Sequence, residues 1–365
     1  MTSGGGLGAG LGGGLGGPVL VIGCGLIGTS VGLALRHHDV PMHLQDRDPE
    51  VARTAADLGA GSAEPPAQDP AVVVVAVPPD HVGPVVVEAL QAWPRAVVTD
   101  VGSVKTRPLE AVARATSDIS RYVGGHPMAG SERSGPLAAS LDLFDGRVWA
   151  VTPHEAADPA GVDRVAELAR LCGAEPVRMQ PADHDEAVAR VSHVPHVLAV
   201  LAAARLKCAP EDHLQLSGQG IRDVTRIAAG DPDLWQQILT ANSSAVVRML
   251  SDVRSDLDRF IGELSSSTPR VQPLLQRGVA GTQAIPGKHG GPRRSVDAVF
   301  VLVPDRPGQL GRLLADSGEG GVNIEDIRID HVLGRPSGLV ELSVPEGDGE
   351  RLIVALAERG WAVHR

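Results

Sequence analysis

The chain has 365 residues, too many for one hydrophobic core and suited to two or three domains, and 43% of them are hydrophobic, enough to fill those cores. Lys and Arg number 33 against 44 Asp and Glu, a formal charge of −11 with no long basic run, and aromatic residues make up only 2%. Such a surface offers nucleic acid neither a cationic groove nor stacking rings, and it does not attract an anionic membrane.

Residues 1–17 are mostly Gly, Leu and Ala, lack the basic start of a signal peptide and the length of a membrane span, and read as a disordered tail. Pro18 to Ile22 reads as a buried strand that runs into Gly23-Cys24-Gly25-Leu26-Ile27-Gly28 and then into a helix pattern. Gly23 suits a tight turn, Gly25 lets the amides of the helix start at Leu26 and Ile27 reach a pyrophosphate, and Gly28 lets the helix pack on the strand. Met42 to Gln45 is the next strand and ends in Asp46, 18 residues after Gly28. An acid there accepts ribose hydroxyls and repels a 2′-phosphate, which points to NAD as cofactor, with Arg47 beside it weakening the discrimination against NADP.

Val72 to Val77 is a third strand closed by Pro78-Pro79, and Ala96 to Asp100 a fourth. Strands alternating with helices predict a doubly wound parallel sheet of the Rossmann type, whose ligands bind beyond the carboxyl ends of the strands. Val77, Pro78 and Asp100 fall at that cofactor edge, and Ser103 stands at a predicted helix start, where a plain N-cap is the alternative reading. The fifth strand, Tyr122-Val123, leads into residues 124–135, where His126 sits between glycines that let a backbone come close to a ligand. An imidazole titrates near working pH, so His126 is read as a catalytic base. Residues 147–151 and 175–179, with a helix between them, complete a domain spanning 18–180.

From Ala182 onward the strand signals stop, and apolar spacing over 183–207 and 232–264 predicts a helical domain, 181–268, for substrate binding and dimerisation. It carries Ser192 and His196 in one motif, Asp223 and Arg226 in a second, and Trp235 in a third. No carboxylate or thiolate stands at ligand spacing from His193 and His196, so no metal is expected, and a buried structural histidine is a plain alternative. Arg226 is either a solvated charge or a two-pronged clamp for a carboxylate. Residues 269–294 are rich in Gly, Pro, Gln and Arg without periodicity and read as a linker. Residues 295–365 follow a βαββαβ order, the ferredoxin-like pattern. Cys24, Cys172 and Cys208 lie far apart, in neither a disulfide framework nor a zinc pattern, which suits a reducing cytoplasm.

Taken in order and spacing, the glycine loop, Asp100 to Lys105, Gly124 to Gly135, Ser192 to His196, Asp223 to Arg226 and Trp235 resemble the TyrA dehydrogenases, which oxidatively decarboxylate prephenate or arogenate in tyrosine biosynthesis. The resemblance covers about residues 18 to 265. The segment from 296 resembles an ACT domain, with Asp305 to Gly308 and Gly321 to Ile324 at its amino-acid-binding corner. What the resemblance implies is that His126 is the catalytic histidine, that Ser103 hydrogen-bonds near it, and that Arg226 holds a substrate carboxylate. Ser192, His196, Ser131, Glu132, Asp223 and Trp235 then belong to the substrate pocket, and tyrosine binds as effector near Gly308 and Asn323. A homodimer is expected through the helical domain. Prephenate and arogenate remain open as substrates, and a non-catalytic NAD and amino-acid sensor is the rival of a different class.

Overall fold

The computed structural model describes residues 14–130, 133–286, 295–331 and 337–365. Ser131, Glu132 and residues 1–13 lie outside them. The chain divides into two compact units, Met1–Asp258 and Arg259–Arg365.

The first unit begins with strands β1 (Val19–Ile22), β2 (Met42–Gln45), β3 (Val72–Val75), β4 (Val97–Asp100), β5 (Tyr122–Pro127), β6 (Val148–Thr152) and β7 (Glu175–Arg178). Helices α1 (Leu26–Leu35), α2 (Pro49–Asp57), α3 (Pro79–Ala92), α4 (Thr106–Ala115) and α5 (Pro159–Leu171) connect them. The sheet order is β2-β1-β3-β4-β5-β6-β7, all pairs parallel except β5 with β6. Because side chains alternate along a strand, Val19 and Val21 pack under Val31, Ala55 and Val165, while Leu20 and Val73 pack under Val82, Val86 and Val112. Helices therefore cover both faces, as a doubly wound sheet requires. The strand order reverses at β1, so the crevice between the carboxyl ends of β1 and β3 is where the glycine loop lies.

Two expectations change in this unit. Leu15 is buried in the core beside the sheet, so the end of the glycine-rich tail packs instead of straying. The fifth strand runs on through His126 to Pro127, where His126 pairs with Ala150 of β6. The two glycines did not read as strand from sequence, and the antiparallel partner supplies the hydrogen bonds that hold them there.

After β7 the chain is helical: α6 (Pro181–Val188), a π turn at Ala189–His193, α7 (Val194–Leu206), α8 (Glu211–Leu214), α9 (Gln219–Ile227), α10 (Pro232–Ala241) and α11 (Ser243–Leu264). Pro195 has no amide to donate at the start of α7, and the neighbouring turn relaxes to the wider π spacing. The run Pro181–Leu206 is long and apolar enough by composition to cross a membrane, and it buries four polar side chains in protein: His184, Asp185, His193 and His196.

The second unit holds α12 (Gln272–Gln283), a helix where composition predicted a linker. Beyond it come β8 (Val296–Pro304), α13 (Gln309–Glu319), β9 (Asp326–His331), β10 (Ser337–Pro345), α14 (Gly349–Glu358) and β11 (Ala362–His364). The βαββαβ order holds and gives a four-stranded antiparallel sheet, β11-β8-β10-β9, around Val299, Val301, Leu342 and Leu352.

Candidate active site

The glycine loop fits a dinucleotide phosphate. Gly23 has φ of +101°, a conformation only glycine adopts without strain, and a Cβ at Gly28 would fall 2.0 Å from Gly23 O. Around Gly25, by contrast, nothing lies within 4 Å, so the free amides at the start of α1, Leu26 and Ile27 among them, face open space. At the end of β2, Asp46 accepts the Cys24 amide on Oδ2 at 2.7 Å and the Asp48 amide on Oδ1 at 3.0 Å. The carboxylate thus braces the loop and keeps lone pairs for ribose hydroxyls. Beside it, burial and the Asp46 charge push the Cys24 thiol up to about 12, so it stays protonated. Val77 and Pro78 follow β3, and Pro78 caps α3 beside the loop.

Asp100 takes a different part from the one expected. It is fully buried, its Oδ1 accepts the Lys105 ammonium and the Gly102 amide, and its Oδ2 accepts the Tyr122 hydroxyl at 2.8 Å. That side chain is closed to a cofactor and works inside the protein. Lys105, also buried, donates to Gly125 O at 2.6 Å. Its body explains the glycine pair. A Cβ at Gly124 would meet Thr152 Oγ1 at 2.5 Å and Lys105 Cδ at 3.1 Å, and one at Gly125 would meet Trp149 Nε1 at 2.9 Å. These glycines admit the protein's own side chains, where the sequence suggested a ligand.

Ser103 does not start a helix. It lies half-buried in the loop before α4, and the amides of Lys105 and Thr106 are capped instead by Asp185 of α6, at 2.8 and 2.9 Å. Asp185 also accepts from Nδ1 of the adjacent His184 at 2.9 Å, and Nε2 of His184 lies 2.8 Å from Nδ1 of His126. Burial lowers the His126 pKa well below the usual histidine range, and neighbouring His184, Lys105 and His193 add to that. His126 is therefore an uncharged imidazole at the carboxyl end of β5, on the sheet edge shared with the glycine loop.

His184 and Asp185 had no motif to announce them. The usable signal was a run of four polar residues, Asp183 to Glu186, on α6, a pattern that equally describes a solvated turn.

On the helical side, His196 is buried and stacks on Trp235 with ring centroids 3.5 Å apart, and Gly230 leaves room for that pair. His193 meets the Trp235 edge and sits 3.1 Å from the Asn242 amide, and burial pulls its pKa down to about 4. Ser192 is half-buried in the π turn. Arg226 and Asp223 are exposed on α9, and Asp223 Oδ1 accepts from Gln219 Nε2 at 2.9 Å. The structure thus brings His193, His196 and Trp235 together beside α7, sets His126 against His184 at the sheet edge, and leaves Arg226 and Asp223 exposed on α9.

A loop shaped for phosphate, an acid at the end of β2 and a half-buried neutral histidine on the same sheet edge define an NAD-dependent dehydrogenase. Residues 31–178 match the prephenate dehydrogenase nucleotide-binding domain and residues 180–272 the prephenate dehydrogenase dimerization domain. A probable prephenate dehydrogenase of Streptomyces niveus is 37% identical over 94% of this chain and 98% of its own length. Among solved structures, prephenate dehydrogenase of A. aeolicus in complex with hydroxyphenyl propionate and NAD+ matches with a TM-score of 0.65 at 26% identity, covering 74% of this chain and 98% of that one. Synechocystis arogenate dehydrogenase matches with a TM-score of 0.63 at 27% identity, over 73% and 98%. The chain belongs to the prephenate dehydrogenase family.

Proposed function

We propose that this protein oxidatively decarboxylates prephenate to 4-hydroxyphenylpyruvate with NAD, using His126 as base. When bound, NAD supplies the hydride acceptor for the ring carbon that carries the substrate hydroxyl. His126 takes the proton of that hydroxyl as the carbon is oxidised, and returns it to the phenolate oxygen once CO₂ has left the opposite ring carbon. Aromatisation drives the step, so alignment and a base are the main demands on the protein. A positioned general base contributes about 10²- to 10⁴-fold. The observation that carries the reading is the neutral His126 at the carboxyl end of β5, on the edge that holds the glycine loop. NADH absorbance on mixing the protein with NAD and prephenate tests it. His126→Asn should lower kcat by about 10²- to 10⁴-fold, and an unchanged kcat would remove the base.

Substrate carboxylates need cationic partners in a dry pocket. Arg226 is the candidate: Arg226→Ala should raise KM more than it lowers kcat, with Ser103 orienting the hydroxyl. Ser192, His196 and Trp235 are read as pocket walls. Arogenate is the second substrate to test, because the Synechocystis relative is an arogenate dehydrogenase. The ratio of kcat/KM for the two compounds decides.

The C-terminal module is read as an ACT domain whose effector is tyrosine. Supporting this, Gly308 has φ of +84° at the start of α13 with open space around it, and Asn323 hydrogen-bonds Glu325 nearby in the chain. Removing residues 290–365 should abolish inhibition by tyrosine. The three free thiols fit a cytoplasmic enzyme, and the dimerization-domain match supports a homodimer.

A further inference from the structure

His184 and Asp185 form a chain behind His126 that the reaction as described does not use. The inference rests on His126 being the base. We propose that Asp185 and His184 are positioning residues that fix the proton of neutral His126 on Nδ1 and so leave its Nε2 as the basic atom.

The donors and acceptors allow little else. Backbone amides of Lys105 and Thr106 point at the two oxygens of Asp185, and amides can only donate. Burial alone would raise the Asp185 pKa, but hydrogen bonds from His184, Thr106 and Lys105 outweigh it and hold the group below its ordinary value. The same residue lines a cavity of about 590 Å³ with Arg107, Arg114 and Arg248 and with Glu110 and Glu186, and the pairs Arg114–Glu110 and Arg248–Glu186 offset those charges. An ionised carboxylate accepts only, so His184 Nδ1 must carry a hydrogen. In neutral His184, Nε2 then has only its lone pair. His126 Nδ1, 2.8 Å away, must donate to it, and the lone pair of His126 is left on Nε2.

A proton added to His184 would reverse the chain. Its Nε2 would become a donor, His126 Nδ1 an acceptor, and Nε2 of neutral His126 would carry the hydrogen, unable to take one from substrate. The hydrogen-bonded pair therefore serves as a base only when neither ring carries an extra proton. The groups facing this unit are Asp185 on α6, Lys105 before α4 and His193 in the π turn, with Asp100 and Tyr122 behind Lys105. When His126 takes the substrate proton, its new charge is offset through His184 by the Asp185 carboxylate.

Four full-length variants test this: Asp185→Asn, His184→Leu, His184→Gln and His126→Asn, each measured for kcat, KM, NAD affinity and melting temperature. An amide at 185 gives up one capping contact either way: its NH₂ faces the Thr106 amide, or it faces both the Lys105 amide and His184 Nδ1, and the second orientation enforces the wrong tautomer. We expect kcat to fall about 10²- to 10⁴-fold in Asp185→Asn and His184→Leu, with KM and NAD affinity near wild type. His184→Gln keeps an acceptor facing His126 Nδ1 and should recover kcat to within about tenfold of wild type. Should Asp185→Asn fail to fold for want of the α4 cap, the two His184 variants decide, since His184 caps no helix. Wild-type kcat in His184→Leu, or no difference between His184→Gln and His184→Leu, overturns the positioning role while an inactive His126→Asn leaves the base in place. An active His126→Asn instead removes the base itself.

Discussion

Lys105 carries a full charge into the core and is balanced there by Asp100, with Gly125 O as a further acceptor. Burial lowers the Lys105 pKa, and the Asp100 and Asp185 charges oppose that. Breaking such a pair strands a buried charge, so Lys105→Met should cost about 3–5 kcal/mol in urea unfolding, while Lys105→Met with Asp100→Asn should cost less than the single change. A double variant no more stable than Lys105→Met would show that the ion pair is not what holds this corner. The same residues mark how far the sequence could be read. The place of His126 at the carboxyl edge of the sheet was legible because the signal is local: a titratable ring, preceded by two glycines, at the end of a strand. Asp100 was read as facing the cofactor, since nothing in the order Asp100 to Lys105 tells that the lysine folds back onto it. The Asp185 cap on Lys105 joins residues 80 apart in sequence, beyond the reach of any local pattern.

At the level of single elements, the glycine loop separates two roles that one motif conceals. Gly28→Ala puts a methyl 2.0 Å from Gly23 O and should destabilise the domain as well as weaken NAD binding. Gly25→Ala enters open space, so melting temperature should hold while the KM for NAD rises by about tenfold or more, as a methyl there competes with the pyrophosphate for the space. Equal losses of stability in both would refute the distinction. The π turn carries a pH consequence. His193 takes up a proton near 6.5 when unfolded and only near 4 when folded, so between these values the unfolded chain binds the extra proton. Its contribution is complete above pH 6.5 and is lost as pH falls toward 4, on the order of 3 kcal/mol in all. His193→Asn, which keeps an acceptor for Asn242, should flatten the fall in urea midpoint between about pH 7 and about pH 4.5. Strands with valine runs were read correctly because burial on both faces demands them. The extension of β5 through two glycines, and α12 within a Gly- and Gln-rich stretch, were missed because partners distant in sequence or weak local propensity decide them.

For the whole molecule, the open question of packing lies on the helices that follow the sheet. Leu198, Leu201, Leu216, Val224, Ile227, Leu234, Val247 and Leu257 are all exposed in one chain, more apolar surface than α7 to α11 need for their own packing. Scattered exposed leucines are ordinary, but the density here, within residues matching a dimerization domain, fits a face covered by a second copy. A C₂ pair would bury the same side chains twice. Light scattering should return twice 37.8 kDa for the full-length chain. Leu201, 57% exposed on α7, is the position to charge: Leu201→Glu should shift the mass toward one chain, because burying an unpaired carboxylate in an apolar interface costs several kcal/mol. If the wild-type protein is a monomer at the concentrations where it turns over substrate, the paired arrangement is wrong, and those helices must be covered in some other way.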